Sequence, residues 1–219
     1  SSLIAMDRCF GRVLGAFDEA GALDDTIVIF TTDHGISFPL MKSSLFDTGI
    51  GVSLAVDYPG NNRRGEASDA LVSQVDLFPT LCDLLGLEPP DWLQGDSFAH
   101  LFEEEDHHRD EIFAEINDHV HYEPARCVRT DHHKRIRLYG DDTRPRDLGG
   151  GDASLDLYRE AGYLERERDR AMLFDLRSDP LERVNVAGIS GYEHTLLELQ
   201  RKLDRWMADT RDPLLDQIR

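Results

Sequence analysis

The sequence predicts an α/β chain: a parallel sheet with flanking helices, followed by a smaller antiparallel sheet with a C-terminal helix. Three observations carry this. Between residues 3 and 31 an amphipathic helical pattern, a short turn and a β-branched apolar run follow one another, which is one αβ unit of a parallel sheet. The character changes at the acidic run of residues 103–106. Beyond it, short strand-like segments alternate with turn signals until a last helical pattern closes the chain. The expected division is 1–103 for the α/β part and 104–219 for a smaller α+β domain.

Taken in order, Leu3, Met6, Phe10, Val13, Leu14 and Phe17 recur at helical spacing until Gly21 stops the pattern. The run Thr26-Ile27-Val28-Ile29-Phe30-Thr31 is apolar on both faces, as in a strand covered by helices on both sides. Val52 to Val56 reads as a second such strand. Asp76 to Gly86 reads as a helix with Asp76 as N-cap, Pro79 in the first turn and Gly86 as the stop. Ile112–Ile116, Arg126–Thr130, Lys134–Tyr139 and Leu173–Leu176 read as the antiparallel strands, with a short helix near 153–162 between the last two. Leu196, Leu197, Leu199, Leu203, Trp206 and Met207 mark the terminal helix. Cys9, Cys82 and Cys127 form no CxxC pair or disulfide framework and read as small buried apolar residues.

Asp33-His34-Gly35 is the sharpest chemical feature. Open α/β sheets place ligands at the carboxyl ends of their strands, and this pair stands at such an end. A carboxylate beside an imidazole binds a divalent cation, while Gly35 lets the backbone turn away at once. A strand-ending turn with a capping Asp is the plainer alternative. Lys42 adds a compact ammonium suited to an anionic substrate oxygen; alone it reads as a solvated surface lysine. Six of the nine His lie between residues 107 and 133, at spacings that fit no zinc pattern. His119 and His121, with Glu123 on a loop between two predicted strands, are the first candidates among them for ligand contact.

Four segments, in order, resemble those of the sulfatases. Thr26 to Gly35 resembles the strand that delivers the second half of the family's metal site. Lys42 to Leu54 resembles the stretch in which a basic residue is followed by an aromatic, an acidic or small residue, and glycine. Gln74 to Leu81 is similar to the helix start that follows. Leu173 to Ala187 resembles the family's C-terminal strand, turn and Asn-aliphatic-Ala. Within the family the chain looks most like the heparan N-sulfatases (sulfamidases), on Gly35 to Pro39, His121 to Arg129 and Trp206 to Pro213.

The resemblance implies a two-domain alkaline-phosphatase-like fold and hydrolysis of a sulfuric ester or sulfamate, on a sulfated sugar or N-sulfoglucosamine. It implies a divalent metal, usually Ca2+, held in part by Asp33 and His34, with Lys42 on the sulfate; His119 and His121 are expected toward the substrate from their loop position alone. Most sulfatases have Asn where His34 stands, so an imidazole here leaves room for a transition metal. Sulfamidases tend to have Arg where Lys42 stands. The family's nucleophile is a formylglycine made from the Cys of C-x-P-S-R. That motif is absent: Cys9 is followed by Phe-Gly-Arg, Cys82 by Asp-Leu-Leu and Cys127 by Val-Arg-Thr. The expectation is therefore the carboxyl-terminal part of a sulfatase, begun upstream of Ser1, inactive alone and inclined to self-associate. A phosphonate or phosphate-ester hydrolase of the same superfamily and a non-catalytic acidic binding domain are the rivals.

Charge bounds the partners. The formal net charge is −19, from 43 Asp and Glu against 24 Lys and Arg. Such a surface does not neutralise nucleic-acid phosphates. No run approaches the roughly 18 apolar residues of a membrane helix. Lys42, Lys134 and Lys202 are the only lysines. An acidic, lysine-poor surface fits a halophilic source, because at molar salt the Debye length of about 3 Å screens self-repulsion; a GC-rich genome is the alternative. On the halophilic reading, thermal stability climbs with KCl up to molar concentration, and a melting temperature as high at low salt as at high salt contradicts it.

Overall fold

Helix α1 (Ser2–Glu19) forms over the predicted apolar stripe. It meets the first sheet through Phe10, whose ring lies 5.2 Å from that of Phe30. No residue of α1 is buried, and Leu3, Ile4, Met6, Val13 and Phe17 stay exposed. Cys9 is therefore exposed as well, against expectation, whereas Cys82 and Cys127 are buried. The computed structural model describes residues 2–38, 41–103, 106–119, 121–145 and 153–217.

Strands β1 (Val28–Thr31) and β2 (Leu54–Asp57) pair antiparallel, with Phe30 opposite Ala55. This corrects the parallel arrangement expected of them. A parallel pair needs a crossover that carries the chain back to the starting end, usually a helix. The connection here holds one helical turn, α2 (Asp47–Ile50), and doubles back on itself. The chain re-enters at the end it left, where Thr32 N donates to Ser53 O (3.3 Å) and Ser53 N to Thr32 Oγ1 (3.1 Å). With only two strands side by side, neither β1 nor β2 contains a buried residue, so the expected cover on both faces is also corrected.

Helix α3 (Leu77–Leu84) follows a 3₁₀ turn, Gln74–Asp76. The helical run thus starts earlier than predicted, and Asp76 is not a side-chain N-cap of α3. Its buried carboxylate reaches back to Ser73 N (2.9 Å), across to Asp96 N (2.9 Å), and to Arg109 Nε (2.9 Å) at the start of the second sheet. The His108 side chain is buried against the same carboxylate, with Nε2 at 3.3 Å.

The second sheet is antiparallel in the order β3 (Glu111–Asp118), β4 (Tyr122–Thr130), β5 (His133–Leu138), β6 (Ala171–Asp175), as predicted. The short helix α4 (Ala153–Glu160) lies between the last two. Its period of two sorts the residues onto two faces. Val128 and Leu173 meet helix α5 (Glu193–Asp209) at Leu199, Leu203 and Met207. Ala125, Cys127, Ile136, Met172 and Phe174 meet Leu45, Phe46 and Ile50 of the β1–β2 connection. The sheet is therefore clasped between its own terminal helix and the loop that carries the candidate site. A guanidinium ties down the helix side: Arg126, wholly buried, donates to both carboxylate oxygens of Asp212 (2.5 and 2.8 Å), just past the end of α5.

Candidate functional site

Asp33, His34 and Lys42 lie on the β1–β2 connection, where hydrogen bonds join the stretch after His34 to the stretch at Thr48 and Gly49. Gly35 N donates to Gly49 O (2.8 Å) and Ile36 N to Thr48 O (3.2 Å). The approach demands glycine on both sides. A Cβ on Gly35 would stand 2.1 Å from Thr48 O, and one on Gly49 would stand 2.2 Å from Met41 O. Glycine in Asp33-His34-Gly35 thus serves close backbone contact, not only the turn. Lys42 lies in the turn between the two stretches. Met41 N bonds Phe38 O (3.1 Å), Ser44 N and Oγ both bond Met41 O, and Ser43 holds a left-handed φ of +59°.

Within the pair, Asp33 is largely exposed and His34 half-buried, with His34 Nε2 3.7 Å from Asp33 Oδ1. His34 Nδ1 lies 2.8 Å from Gly35 O. That carbonyl can only accept, so Nδ1 carries the proton and the Nε2 lone pair is left beside the carboxylate. This donor set, one carboxylate and one imidazole nitrogen oriented from behind by a backbone carbonyl, fits a divalent cation. It is a partial set, since no group of three His, Cys, Asp or Glu side chains converges among the described residues. Lys42 complements it. Lys134 and Lys202 are both in ion pairs, with Asp47 and Glu111 at 2.8 and 2.7 Å, whereas Lys42 makes no ion pair or side-chain hydrogen bond among the described residues. A half-buried ammonium of that kind is available to an anion.

One feature of the site escaped the sequence reading. Asp47, the first residue of α2, places Oδ1 2.8 Å from Lys134 Nζ and Oδ2 3.1 Å from Arg129 Nε. Lys134 also meets Glu182 Oε1 at 3.0 Å, and Glu182 Oε2 accepts from Asp47 N at 2.5 Å. Burial alone raises the Asp47 carboxyl, but Lys134 and Arg129 outweigh it and hold it below the usual carboxylate range. Glu182 goes the other way, pushed up by burial that Lys134 only partly offsets. The rarity of lysine was the available signal. It drew attention to Lys42 and applies equally to Lys134.

The comparisons with known proteins can be set beside this geometry. Residues 38–146 match the profile of the family described as N-sulphoglucosamine sulphohydrolase, C-terminal. An ulvan-active sulfatase of Formosa agariphila is 31% identical over 94% of the chain, and human N-sulphoglucosamine sulphohydrolase 28% over 95%. The chain belongs to the sulfatase family. This sulfatase chain spans 37% and 46% of the length of those two relatives and aligns with their C-terminal portion. Its fold also matches the structure of BT4656 in complex with its substrate D-glucosamine-2-N,6-O-disulfate, at a TM-score of 0.77 and 24% identity over 96% of this chain and 40% of that one.

His119 and His121 sit exposed at the tip of the β3–β4 hairpin of the sulfatase chain. They stand just before Glu123, which shares a small cavity with Ser43, Ser44 and Arg168, so the hairpin rises at the end of the sheet on which the Lys42 turn rests. Among the described residues, neither histidine makes a hydrogen bond, ion pair or ring contact with Asp33, His34 or Lys42.

The carboxylates of Asp76 and Asp212 set the acid limit of stability, with that of Asp47. Burial raises Asp76, but Arg109 and two backbone N–H groups bring it below its usual range; Arg126 lowers Asp212 directly. Carboxyls depressed in the folded state lend stability that is present above about pH 4 and is lost as pH falls through their folded values. His108 and His133 are lowered by burial, so stability already declines as pH drops through about 6.5 and the unfolded chain takes up their protons. Glu182, raised, works weakly against this decline. The expected melting curve is therefore level between about pH 7 and 8, falls gently below that and steeply below about pH 4, and falls again above about pH 8.5, where the unfolded chain ionises the Cys127 thiol that burial pushes up to about 11. Asp212→Asn should cost about 1–3 kcal/mol at pH 7, because buried Arg126 then keeps only Glu115 (3.2 Å) as a charged partner, and should flatten the acid limb. An acid limb unchanged by that substitution contradicts the assignment.

Proposed function

We propose that the chain is the carboxyl-terminal part of a hydrolase of sulfuric esters or sulfamates acting on a sulfated sugar, N-sulfoglucosamine among the candidates. One observation supports this reading: the Gly35–Gly49 contact closes the connection that carries Asp33 and His34 on one turn and, on the next, Lys42, which makes no ion pair among the described residues. Asp33 and the Nε2 of His34 hold a divalent cation, calcium or, given the imidazole, a transition metal. The cation supplies electrophilic stabilisation of negative charge on the sulfate oxygens. Lys42 pairs with one of those oxygens, at a surface that is otherwise strongly acidic and repels an anionic substrate. Gly35 O fixes the His34 ring so that the same nitrogen always faces the pair. His119 and His121 contact the sugar from the hairpin.

The other ligands and the nucleophile, expected as a formylglycine, belong to the part of the relatives that lies before this alignment. That part is the first partner proposed, and the exposed stripe of α1 and the apolar groove it forms with β1 and β2 are consistent with it. On this reading the chain alone does not turn over substrate, and the complete enzyme prefers a sulfate to the matching phosphonate or phosphate ester. In the complete enzyme, Lys42→Ala should lower kcat/KM for an aryl sulfate by about 10²–10³. Asp33→Ala should lose bound metal by elemental analysis and lose activity with it. Preference for the phosphonate would make this the sister hydrolase, and full function without Asp33 and His34 would make it a binding domain.

A further inference from the structure

We infer that Lys134, with Arg129 and Glu182, is a positioning residue. Through Asp47 the second sheet sets the geometry of the stretches that carry Asp33, His34 and Lys42. The inference rests on the proposed role of those three residues and adds the part that holds them in place.

The geometry requires Asp47. Arg129 and Lys134 are partners in the β4–β5 register and project from the same face of the sheet. Like charges directly opposite each other repel, and Lys134 is wholly buried. The pair is tolerated because Asp47 takes one cation on each of its oxygens and Glu182 takes Lys134 again. Both carboxylates are thereby fixed in direction, and a buried ion cluster specifies one arrangement more than it adds stability. Glu182 does more than neutralise. It accepts from the Asp47 N–H and so holds the start of α2, whose Thr48 and Gly49 carbonyls bind the stretch after His34.

A second, independent observation concerns the backbone. Among the described residues, three that are not glycine hold a left-handed φ: Ser43 (+59°), Glu182 (+53°) and Arg211 (+54°). Arg211 ends helix α5. The other two flank this junction, one beside Lys42 and one on Lys134. Left-handed backbone at such residues persists only where the surroundings over-determine it. Apolar packing secures the same spot, with Leu45 buried in the sheet core and Phe46 5.8 Å from Phe174. Lys134 is thus joined to the candidate site by unbroken contact: Lys134 to Asp47, Asp47 through α2 to Gly35, Gly35 to His34 and Asp33.

The test is amide hydrogen exchange on this chain, for which no substrate or metal is required. Asp47→Asn and Lys134→Met should each speed exchange across 33–38 and 41–50 by at least about tenfold, with the protected core of α5 unchanged. Asp47→Glu keeps the carboxylate and should restore most of the protection. Because Lys134→Met alone leaves two carboxylates without it and can prevent folding, the triple variant Asp47→Asn/Lys134→Met/Glu182→Gln removes the three charges that meet at Lys134 and leaves the partly exposed Arg129 to solvent. It should fold, keep α5 protected and still loosen 33–50. Unchanged exchange over 33–38 in the triple variant overturns the inference, and so does loosening shared equally by α5. In the complete enzyme, Asp47→Asn should lower kcat about 10²-fold with little change in KM. Exchange and turnover separate the two claims. If Lys42→Ala leaves sulfate hydrolysis intact while Asp47→Asn loosens 33–50, the sulfatase reading fails and the positioning inference stands.

Discussion

Two cations stand opposite each other on neighbouring strands, one of them cut off from water, and the chain must neutralise them from another element. That constraint organises the molecule. Asp47 answers it from the β1–β2 connection and Glu182 from the turn after β6, so three segments distant in sequence meet at Lys134. Removing one partner would leave a buried charge, which costs about 3–5 kcal/mol. The connection is therefore held against the sheet by electrostatics as well as by Leu45 and Phe46. Its grip passes to the turns bearing Asp33, His34 and Lys42 through backbone contacts that only Gly35 and Gly49 permit.

Much of this architecture was legible in the sequence where a periodic signal existed. The strands of the second sheet are short runs set off by turn signals, and helix α5 repeats its leucines, so both were placed within a few residues of their true ends. The Asp-His-Gly motif and Lys42 were legible by residue type and spacing. What failed had no periodic signature. The direction of β2 depends on how the intervening loop folds back, and an apolar run reads the same in either direction. Asp76 resembles a helix cap, and its true role depends on Arg109 and His108, more than thirty residues away. Asp47 and Lys134 were invisible as partners for the same reason, since charge pairing across 87 positions leaves no local trace.

The site itself is a partial one. On the proposed reading, Asp33 and His34 just after β1 and Lys42 in the turn that follows serve a cation and an anion, on a chain whose net charge is −19. That balance has a physical consequence for any anionic sugar sulfate. The general field repels it, so binding depends on a small positive focus, which Lys42 and a cation would supply together. The alignment with the C-terminal portion of longer sulfatases agrees with a donor set that is incomplete here. The second sheet holds the loop that carries Asp33, His34 and Lys42 through the contacts of Asp47, Leu45 and Phe46.

The most direct measurement is a crystal structure of the protein grown with calcium and inorganic sulfate. The account predicts one ion bonded to both the Asp33 carboxylate and His34 Nε2, and a sulfate oxygen within hydrogen-bonding distance of Lys42 Nζ, in the same hollow. Metal and sulfate found on separate surfaces, with His34 or Lys42 turned away from both, would contradict it.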